Sequence, residues 1–266
     1  MSFAAVVPLG GYAGWTFLTR TLESQKTAFA DSPQQLSDKE YFAANIAGVK
    51  TAEHLVGDYR LLSVALGAFG LDDDLQNRFF IRKVLEDGTS SADALSNKLS
   101  DKSYKALSEA FGFGEGIPPR TGLTGFADEI FSAYTERQFE ISVGEKNEDF
   151  RLALNVEREL AAIASGELSD DGKWYSVMGS APLRSVFETA LGLPESFSSL
   201  DIEDQLQTFR DKATTAFGSG DVSQFADPDR MEKLVRTFLL RAELSDMSTG
   251  LSSGSIALTL LSGAVS

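Results

Sequence analysis

Residues 61–116 read LLSVALGAFGLDDDLQNRFFIRKVLEDGTSSADALSNKLSDKSYKALSEAFGFGEG, and this stretch shows how the whole chain is organised. It contains one short phrase twice, as Ala68–Leu71 (AFGL) and as Ala110–Phe113 (AFGF). The phrase returns as Ala190–Leu193 (ALGL) and, with serine in its last position, as Ala216–Ser219 (AFGS). An apolar pair followed by glycine is typical of the last turn of a helix, so the phrase predicts where helices end.

In each copy the glycine is expected to end the helix, at Gly70, Gly112, Gly192 and Gly218. Glycine adopts the left-handed backbone conformation at little cost, because it has no Cβ atom. The apolar residue that follows in three of the copies then folds back onto the final helical turn. The phrase therefore describes architecture and supplies no reactive group.

The phrase also raises the question of an internal repeat. Ser63-Val64 precedes Gly70-Leu71 at the same separation as Ser185-Val186 precedes Gly192-Leu193. Two interpretations stay open, namely a duplicated helical unit and independent use of the same efficient helix stop.

Apolar residues recur every three or four positions between these stops, which is the period of an amphipathic helix. Leu55, Tyr59, Leu62 and Leu66 form one such face before Gly70. Alternation with period two is found only in the apolar tail, SIALTLLSGAV. The sequence predicts an all-α fold, a multi-helix bundle of roughly ten helices, either as one elongated bundle or as two helical lobes joined by a long central helix.

Turns and charged runs divide the chain into five predicted segments. These are an N-terminal arm with helices (1–50), a first helical unit (51–121), a long connecting helix (122–165), a second helical unit (166–247) and a Gly/Ser-rich apolar tail (248–266). Gly144 and the charged run after it allow either one long helix or two consecutive helices within 122–165.

Composition excludes several classes of function. Of the 266 residues 42% are hydrophobic, with 19 Phe, so the chain can bury a substantial core. The net charge of −15 argues against binding to nucleic acid or to an anionic membrane surface, because the basic residues that such contacts need are too few. The chain has no cysteine, which excludes thiol catalysis, disulfides and cysteine-ligated metals.

Both ends of the sequence are apolar. No charged residue precedes Arg20, so the basic region of a Sec signal peptide is missing. Pro8 and Gly10 disfavour a membrane-spanning helix at the start, and the tail at 248–266 is too short to cross a bilayer. We expect the first residues to form a mobile or docking arm, and the tail to pair with the body or to bind a partner.

Three features look like functional motifs but favour structural interpretations. Asp72-Asp73-Asp74 is expected to cap the helix that follows, instead of binding a metal. Gly112–Gly116 follows a helix and not a strand, so we expect a loop and no phosphate site. His54, the only histidine, is expected to be a partly buried polar residue. The sequence predicts no catalytic, cofactor-binding or metal-binding residue, and the chain is not expected to be an enzyme.

Several phrases along the chain together point to a known family. They are Thr51–Val56 with Asp58, Leu66–Leu71, Phe80–Gly88, Leu95–Asp101, Ala110–Phe113, Arg137–Glu140, Gly144-Glu145 and Arg151–Leu154. In these phrases the chain resembles a bacterial family of unassigned function, the domain-of-unknown-function family twelve-seventeen, found mainly in alphaproteobacteria. The resemblance covers most of the chain and is weakest in the first fifty and the last twenty residues. Its motifs are structural and name no site residue.

The resemblance implies a physiological context, because genes of this family tend to lie within or near flagellar gene regions. It implies a non-enzymatic role in flagellar assembly, structure or motility through contacts with flagellar proteins, either in the cytoplasm or after export to the flagellum. One alternative is an export chaperone or adaptor that holds a flagellar subunit in an apolar groove. An alternative of another class is a hydrolase that uses paired carboxylates. The oligomeric state is not predicted.

Overall fold

The computed structural model describes residues 3–114 and 118–250, and every regular element within these ranges is a helix. Five short 3₁₀ helices accompany the α-helices in these two ranges, and the prediction of an all-α multi-helix fold is confirmed. The α-helices are α1 (Gly11–Ala30), α2 (Pro33–Asn45), α3 (Ala52–Gly57), α4 (Tyr59–Gly67), α5 (Arg78–Asp87), α6 (Leu95–Lys98), α7 (Ser103–Phe111), α8 (Phe126–Gly144), α9 (Glu148–Ser165), α10 (Asp170–Gly179), α11 (Ala181–Leu191), α12 (Ile202–Phe217) and α13 (Pro228–Gly250).

The described residues form two compact units. Unit 1 consists of residues 3–6 and of the described part of 20–146, and unit 2 consists of residues 7–19 and 147–250. The region 122–165, for which one or two helices were expected, contains α8 in unit 1 and α9 in unit 2. Asn147 separates them, because its side chain accepts a hydrogen bond from the N–H of Phe150 (3.0 Å) and caps α9. The five-segment division of the sequence stays a prediction.

Unit 1 has its core where α2, α4 and α8 pack against one another. Phe42 of α2, Leu66 of α4 and Ile130 of α8 are almost completely buried there. Phe111, at the end of α7, meets the ring of Phe126 edge to face with 5.3 Å between centroids. These side chains fall on the apolar faces that the helical periodicity indicates, so the sequence pattern places this core.

The predicted apolar stripe before Gly70 is interrupted at one point. α3 ends at Gly57 and α4 begins at Tyr59, so the stripe belongs to two helices that meet at Asp58. Tyr59 is 51% exposed, and the expectation that it shares a buried face with Leu55 is wrong.

The corner at Asp58 has a local cause. Its carboxylate accepts hydrogen bonds from the N–H groups of Arg60 (2.9 Å) and Leu61 (3.1 Å), which caps α4. Burial raises the pKa of Asp58, but hydrogen bonds from the Tyr41 hydroxyl (2.6 Å) and from these backbone groups outweigh it, so the pKa lies below its usual value. The capped, charged carboxylate therefore holds the chain in a bend where the apolar pattern alone predicts a continuous helix.

Unit 2 has a core rich in aromatic residues, beside the packed helices α9, α11 and α13. Trp174 of α10 is completely buried, and its ring stacks on Phe209 with a centroid distance of 5.4 Å. Phe187 meets the same indole edge to face at 5.2 Å. The indole N–H donates to the carbonyl oxygen of Gly220 (2.8 Å), so the polar atom of this large side chain is also satisfied.

All four predicted glycine stops are confirmed. Gly70, Gly112, Gly192 and Gly218 have φ angles of 73°, 66°, 64° and 95°, in the left-handed region. After Gly70 the N–H of Leu71 donates to the carbonyl of Leu66 (3.0 Å), and after Gly192 the N–H of Leu193 donates to that of Glu188 (2.8 Å). This bond, from a residue to the fifth before it, is the signature of the Schellman motif.

The two units share an order of elements that extends beyond these stops. In unit 1, α3 meets α4 at a single residue, Asp58, and α4 leads to the stop at Gly70 and then to a 3₁₀ helix. In unit 2, α10 meets α11 at Ser180, and α11 leads to the stop at Gly192 and again to a 3₁₀ helix. Asp58 and Ser180 have nearly the same backbone angles, with φ of −104° and −95° and ψ of 111° and 112°. This agreement favours duplication over independent use of one helix stop.

Candidate functional site

The three consecutive aspartates form no cap, and in this respect the prediction is wrong. They lie in the first turn of the 3₁₀ helix Asp72–Gln76, and neither this helix nor α5 has a side-chain capping bond. Asp72 accepts a hydrogen bond from the amide of Gln138 (2.6 Å) on α8, and Asp74 accepts one from the hydroxyl of Tyr104 on α7. Asp72 and Asp74 therefore each connect the 3₁₀ helix to a distant helix of unit 1, α8 and α7 respectively.

Asp72 has the kind of electrostatic shift that a hydrolase carboxyl group requires. Burial raises the pKa of Asp72, and the hydrogen bond from Gln138 partly opposes this effect. Its hydrogen-bonding neighbour is an amide, while Asp73 beside it is exposed. The pair of buried carboxylates that the hydrolase alternative needs is therefore not formed at this position.

The glycine-rich loop after α7 lies against another part of unit 1. Residues 115–117 lie outside the described part, so the structure describes the Gly112–Gly116 loop only through Gly114. A Cβ atom placed on Gly114 would lie 2.5 Å from the Cα of Gly88, so the two backbones cross at a distance that only glycine permits. Gly114 therefore packs against the backbone at Gly88. The sequence did not indicate this contact, because the two glycines are far apart along the chain.

His54 is exposed on α3, and the expectation of partial burial is wrong. Among the described residues no group of three or more His, Asp or Glu side chains is arranged to hold a metal ion. The helices within 3–114 and 118–250 include none that is long and apolar enough to cross a membrane.

One buried charge in unit 2 was not predicted from the sequence. Lys173 is 6% exposed, and its ammonium group donates to the carbonyl of Ala164 (2.7 Å) and to the hydroxyl of Ser223 (2.7 Å). Ala164 belongs to the last turn of α9, where a positive charge is favourable. Lys173 therefore stabilises the end of α9, and its place in α10 gave no sequence signal of this role.

The start of α1 lies against α13 in unit 2. The hydroxyl of Tyr12 donates to Glu232 (3.1 Å), and the guanidinium of Arg236 lies 5.3 Å from the Tyr12 ring centroid. Burial and this hydrogen bond raise the pKa of Tyr12. At Gly11, an added Cβ would lie 2.5 Å from the Glu243 carboxylate, which places the backbone of Gly11 directly beside α13. Two segments far apart in sequence are thus neighbours.

Three leucines near this contact are exposed to solvent. Leu9 precedes Gly11 by two residues and is 59% exposed, while Leu240 and Leu244, one helical turn apart on α13, are 42% and 65% exposed. We call Leu9, Leu240 and Leu244 the leucine surface. The sequence indicates part of the leucine surface, because Leu240 and Leu244 fall outside the buried stripe of α13. That stripe consists of Met231, Leu234, Val235, Phe238 and Leu239.

The fold and this surface define a class: an all-α protein of two helical units with exposed apolar side chains where the start of α1 meets α13. Residues 68–231 match the family model described as "Protein of unknown function (DUF1217)". The match spans more than half of the sequence, and the chain belongs to this family.

A solved structure has the same fold. The crystal structure of protein AGR_C_984 from Agrobacterium tumefaciens is similar to this chain with a TM-score of 0.73 and 25% sequence identity. The similarity covers 91% of this chain and 99% of the Agrobacterium chain. No curated protein matches the chain.

Proposed function

We propose that the protein is a non-enzymatic, flagellum-associated protein that acts in flagellar assembly, structure or motility by docking other proteins on its leucine surface. The observation that carries the docking role is the exposure of Leu240 and Leu244 on α13 and of Leu9 two residues before Gly11, whose backbone lies beside α13. The flagellar context rests on the resemblance to a family whose genes lie within or near flagellar gene regions. The partner is accordingly a flagellar protein.

The leucine surface has the composition of a small interface. Burying a fully exposed leucine side chain stabilises a complex by about 1.5–3 kcal/mol, and the exposed parts of these three leucines supply a useful share of a binding energy. Arg236, Glu232 and Glu243 lie around the nearby contact of α1 with α13 and provide a charged margin. An apolar centre with a polar margin is the usual anatomy of a protein interface.

The test replaces Leu240 and Leu244 together with glutamate in the chromosomal gene. Both side chains are exposed, so the substitutions are expected to leave the fold intact, as circular dichroism and thermal unfolding of the purified variant would show. Loss of both apolar contacts is expected to weaken docking roughly 10- to 100-fold, because the exposed parts of the two side chains together equal about one leucine side chain. The swimming radius in soft agar should therefore fall clearly below that of the parent strain.

Leu168→Glu is the matched control. Leu168 is 56% exposed in unit 2 but follows α9, outside the leucine surface. The Leu168→Glu substitution should leave the swimming radius unchanged. Normal swimming of the Leu240→Glu/Leu244→Glu strain, or equal loss in the control strain, would contradict a docking role for this surface.

A further inference from the structure

Residues 3–6, which we call the arm, are docked in unit 1 in the manner of a bound peptide. The side chains alternate along the arm: Phe3 is half-buried, Ala4 exposed, Ala5 buried and Val6 exposed. This alternation is that of an extended chain with one side against a surface. The ring of Phe3 lies 5.1 Å from that of Phe29 on α1.

The surface under the arm combines an aromatic site with a polar clamp. Phe3 also approaches Phe139 of α8 (6.1 Å between ring centroids), and Phe139 is fully buried. The side-chain amide of Gln25 accepts a hydrogen bond from the N–H of Val6 (2.8 Å) and donates one to its carbonyl (3.1 Å). A further bond from the amide to the hydroxyl of Thr21 (2.9 Å) holds Gln25 in place. We call Gln25, Phe29 and Phe139 the groove.

We propose that the groove is a peptide-binding site whose second occupant is the arm of another copy of this protein, so that copies associate by exchanging arms. Gln25 binds backbone atoms of the arm, and the aromatic site binds the side chain of Phe3, which is the anchor. Strand-like peptide recognition likewise combines hydrogen bonds to the main chain with sites for particular side chains. A second copy is the occupant because its arm is identical to the segment already seated in the groove. Segment exchange of this kind requires no new interface. The proposal does not depend on the flagellar role.

The linker between the arm and α1, residues 7–10, is only just long enough for the arm to reach the groove of its own chain. The length of the linker can therefore be used to control exchange. Along α1 the rise from Gly11 to Gln25 is about 21 Å at 1.5 Å per residue. The five residue steps from Val6 to Gly11 span at most about 18 Å. The side chain of Gln25 closes the difference, since side chains on a helix lean toward its N-terminus. A shorter linker can therefore no longer seat the arm in its own groove.

The test removes Val7 and Pro8 from the full-length protein. The remaining linker spans at most about 11 Å, so the arm can reach only the groove of another copy. The deletion removes the chain's own arm as a competitor for the groove. If the groove of the native protein is free for a few per cent of the time, the apparent dissociation constant for self-association should fall roughly 10- to 100-fold. Sedimentation velocity over a concentration series measures this change.

Adding Phe3→Ala to the shortened chain should return self-association to the wild-type level, because the anchor is lost while the deletion remains. Arm exchange is overturned if the shortened chain associates no more tightly than wild type. It is equally overturned if the added Phe3→Ala has no effect, since the association then uses another surface.

A second measurement keeps the native linker. A fluorescent peptide with the sequence of residues 2–9 (SFAAVVPL) should bind the Phe3→Ala protein more tightly than wild type, because the altered arm competes less well for the groove. Adding Gln25→Leu to that protein should abolish the gain in fluorescence anisotropy. Equal binding by wild type and Phe3→Ala protein, or binding that survives Gln25→Leu, would contradict the assignment of the groove.

Discussion

Replacing Trp174 with alanine is expected to lower the free energy of unfolding of unit 2 by about 3–5 kcal/mol. Among the described residues Trp174 is the largest fully buried side chain, and it stacks on Phe209 while meeting Phe187 edge to face. Alanine would leave a cavity among these rings and the carbonyl of Gly220 without its indole partner. Both losses destabilise unit 2, because neither the rings nor the carbonyl can form a replacement contact unless the surrounding structure rearranges.

The measurement is urea denaturation followed by tryptophan fluorescence. The sequence has two Trp, so the variant retains Trp15 alone, which packs on Phe150 within unit 2 and reports on that unit. Tyr175→Phe is the matched control on the same helix, since Tyr175 is 38% exposed and gives up one hydrogen bond to Glu203. Its effect should stay below about 1 kcal/mol. A Trp174→Ala variant as stable as this control would refute the proposed organisation of the unit 2 core.

Replacing Gly88 with alanine is expected to destabilise unit 1 by about 2–4 kcal/mol, from backbone strain and overpacking together. Gly88 ends α5 with φ of 65° and ψ of −150°, a conformation that is accessible essentially to glycine alone. A Cβ at this position would also lie 2.9 Å from the Cα of Gly114. Because backbone atoms form that contact, no flexible side chain can move aside to relieve it.

Gly125→Ala separates these two contributions. Gly125 has φ of 86°, but an added Cβ would meet no atom within 4 Å. Alanine there should cost about 1–2 kcal/mol through backbone conformation alone. Chemical denaturation followed by far-ultraviolet circular dichroism gives both values. If Gly88→Ala were no more harmful than Gly125→Ala, the close crossing of Gly88 and Gly114 would not contribute to stability.

The features that the sequence predicted correctly are set by neighbouring residues. The stops at Gly112 and Gly192 each follow from a few adjacent positions. The same holds for the helical period that gives the all-α class. These features are local, and local sequence patterns specify them because the relevant hydrogen bonds close within one or two helical turns.

The features that the sequence did not predict depend on contacts between distant residues. Asp72 looked like a cap, because its partner Gln138 lies 66 positions further along the chain. The crossing of Gly88 and Gly114 was hidden for the same reason. At Asp58 two local signals conflicted, and the cap outweighed the apolar stripe.

The interaction surfaces were predicted only in outline. Apolar ends indicated an arm that is mobile or docks, and the structure seats residues 3–6 against Gln25 and Phe29 of the same chain. The tail at 248–266, which was expected to pair with the body or with a partner, lies outside the described residues beyond position 250. Leu240 and Leu244 fall outside the buried stripe of α13, but the approach of the start of α1 to this helix is shown by no short pattern.

The central claim, a role in the bacterial flagellum, is tested most directly by an in-frame deletion of the gene. The measurement is the swimming radius of the deletion strain in soft agar, with electron microscopy of its filaments and hook–basal bodies and complementation by the wild-type gene. We predict reduced swimming together with missing or malformed flagellar structures, both restored by complementation. Full motility with normal flagella in the deletion strain would contradict the account.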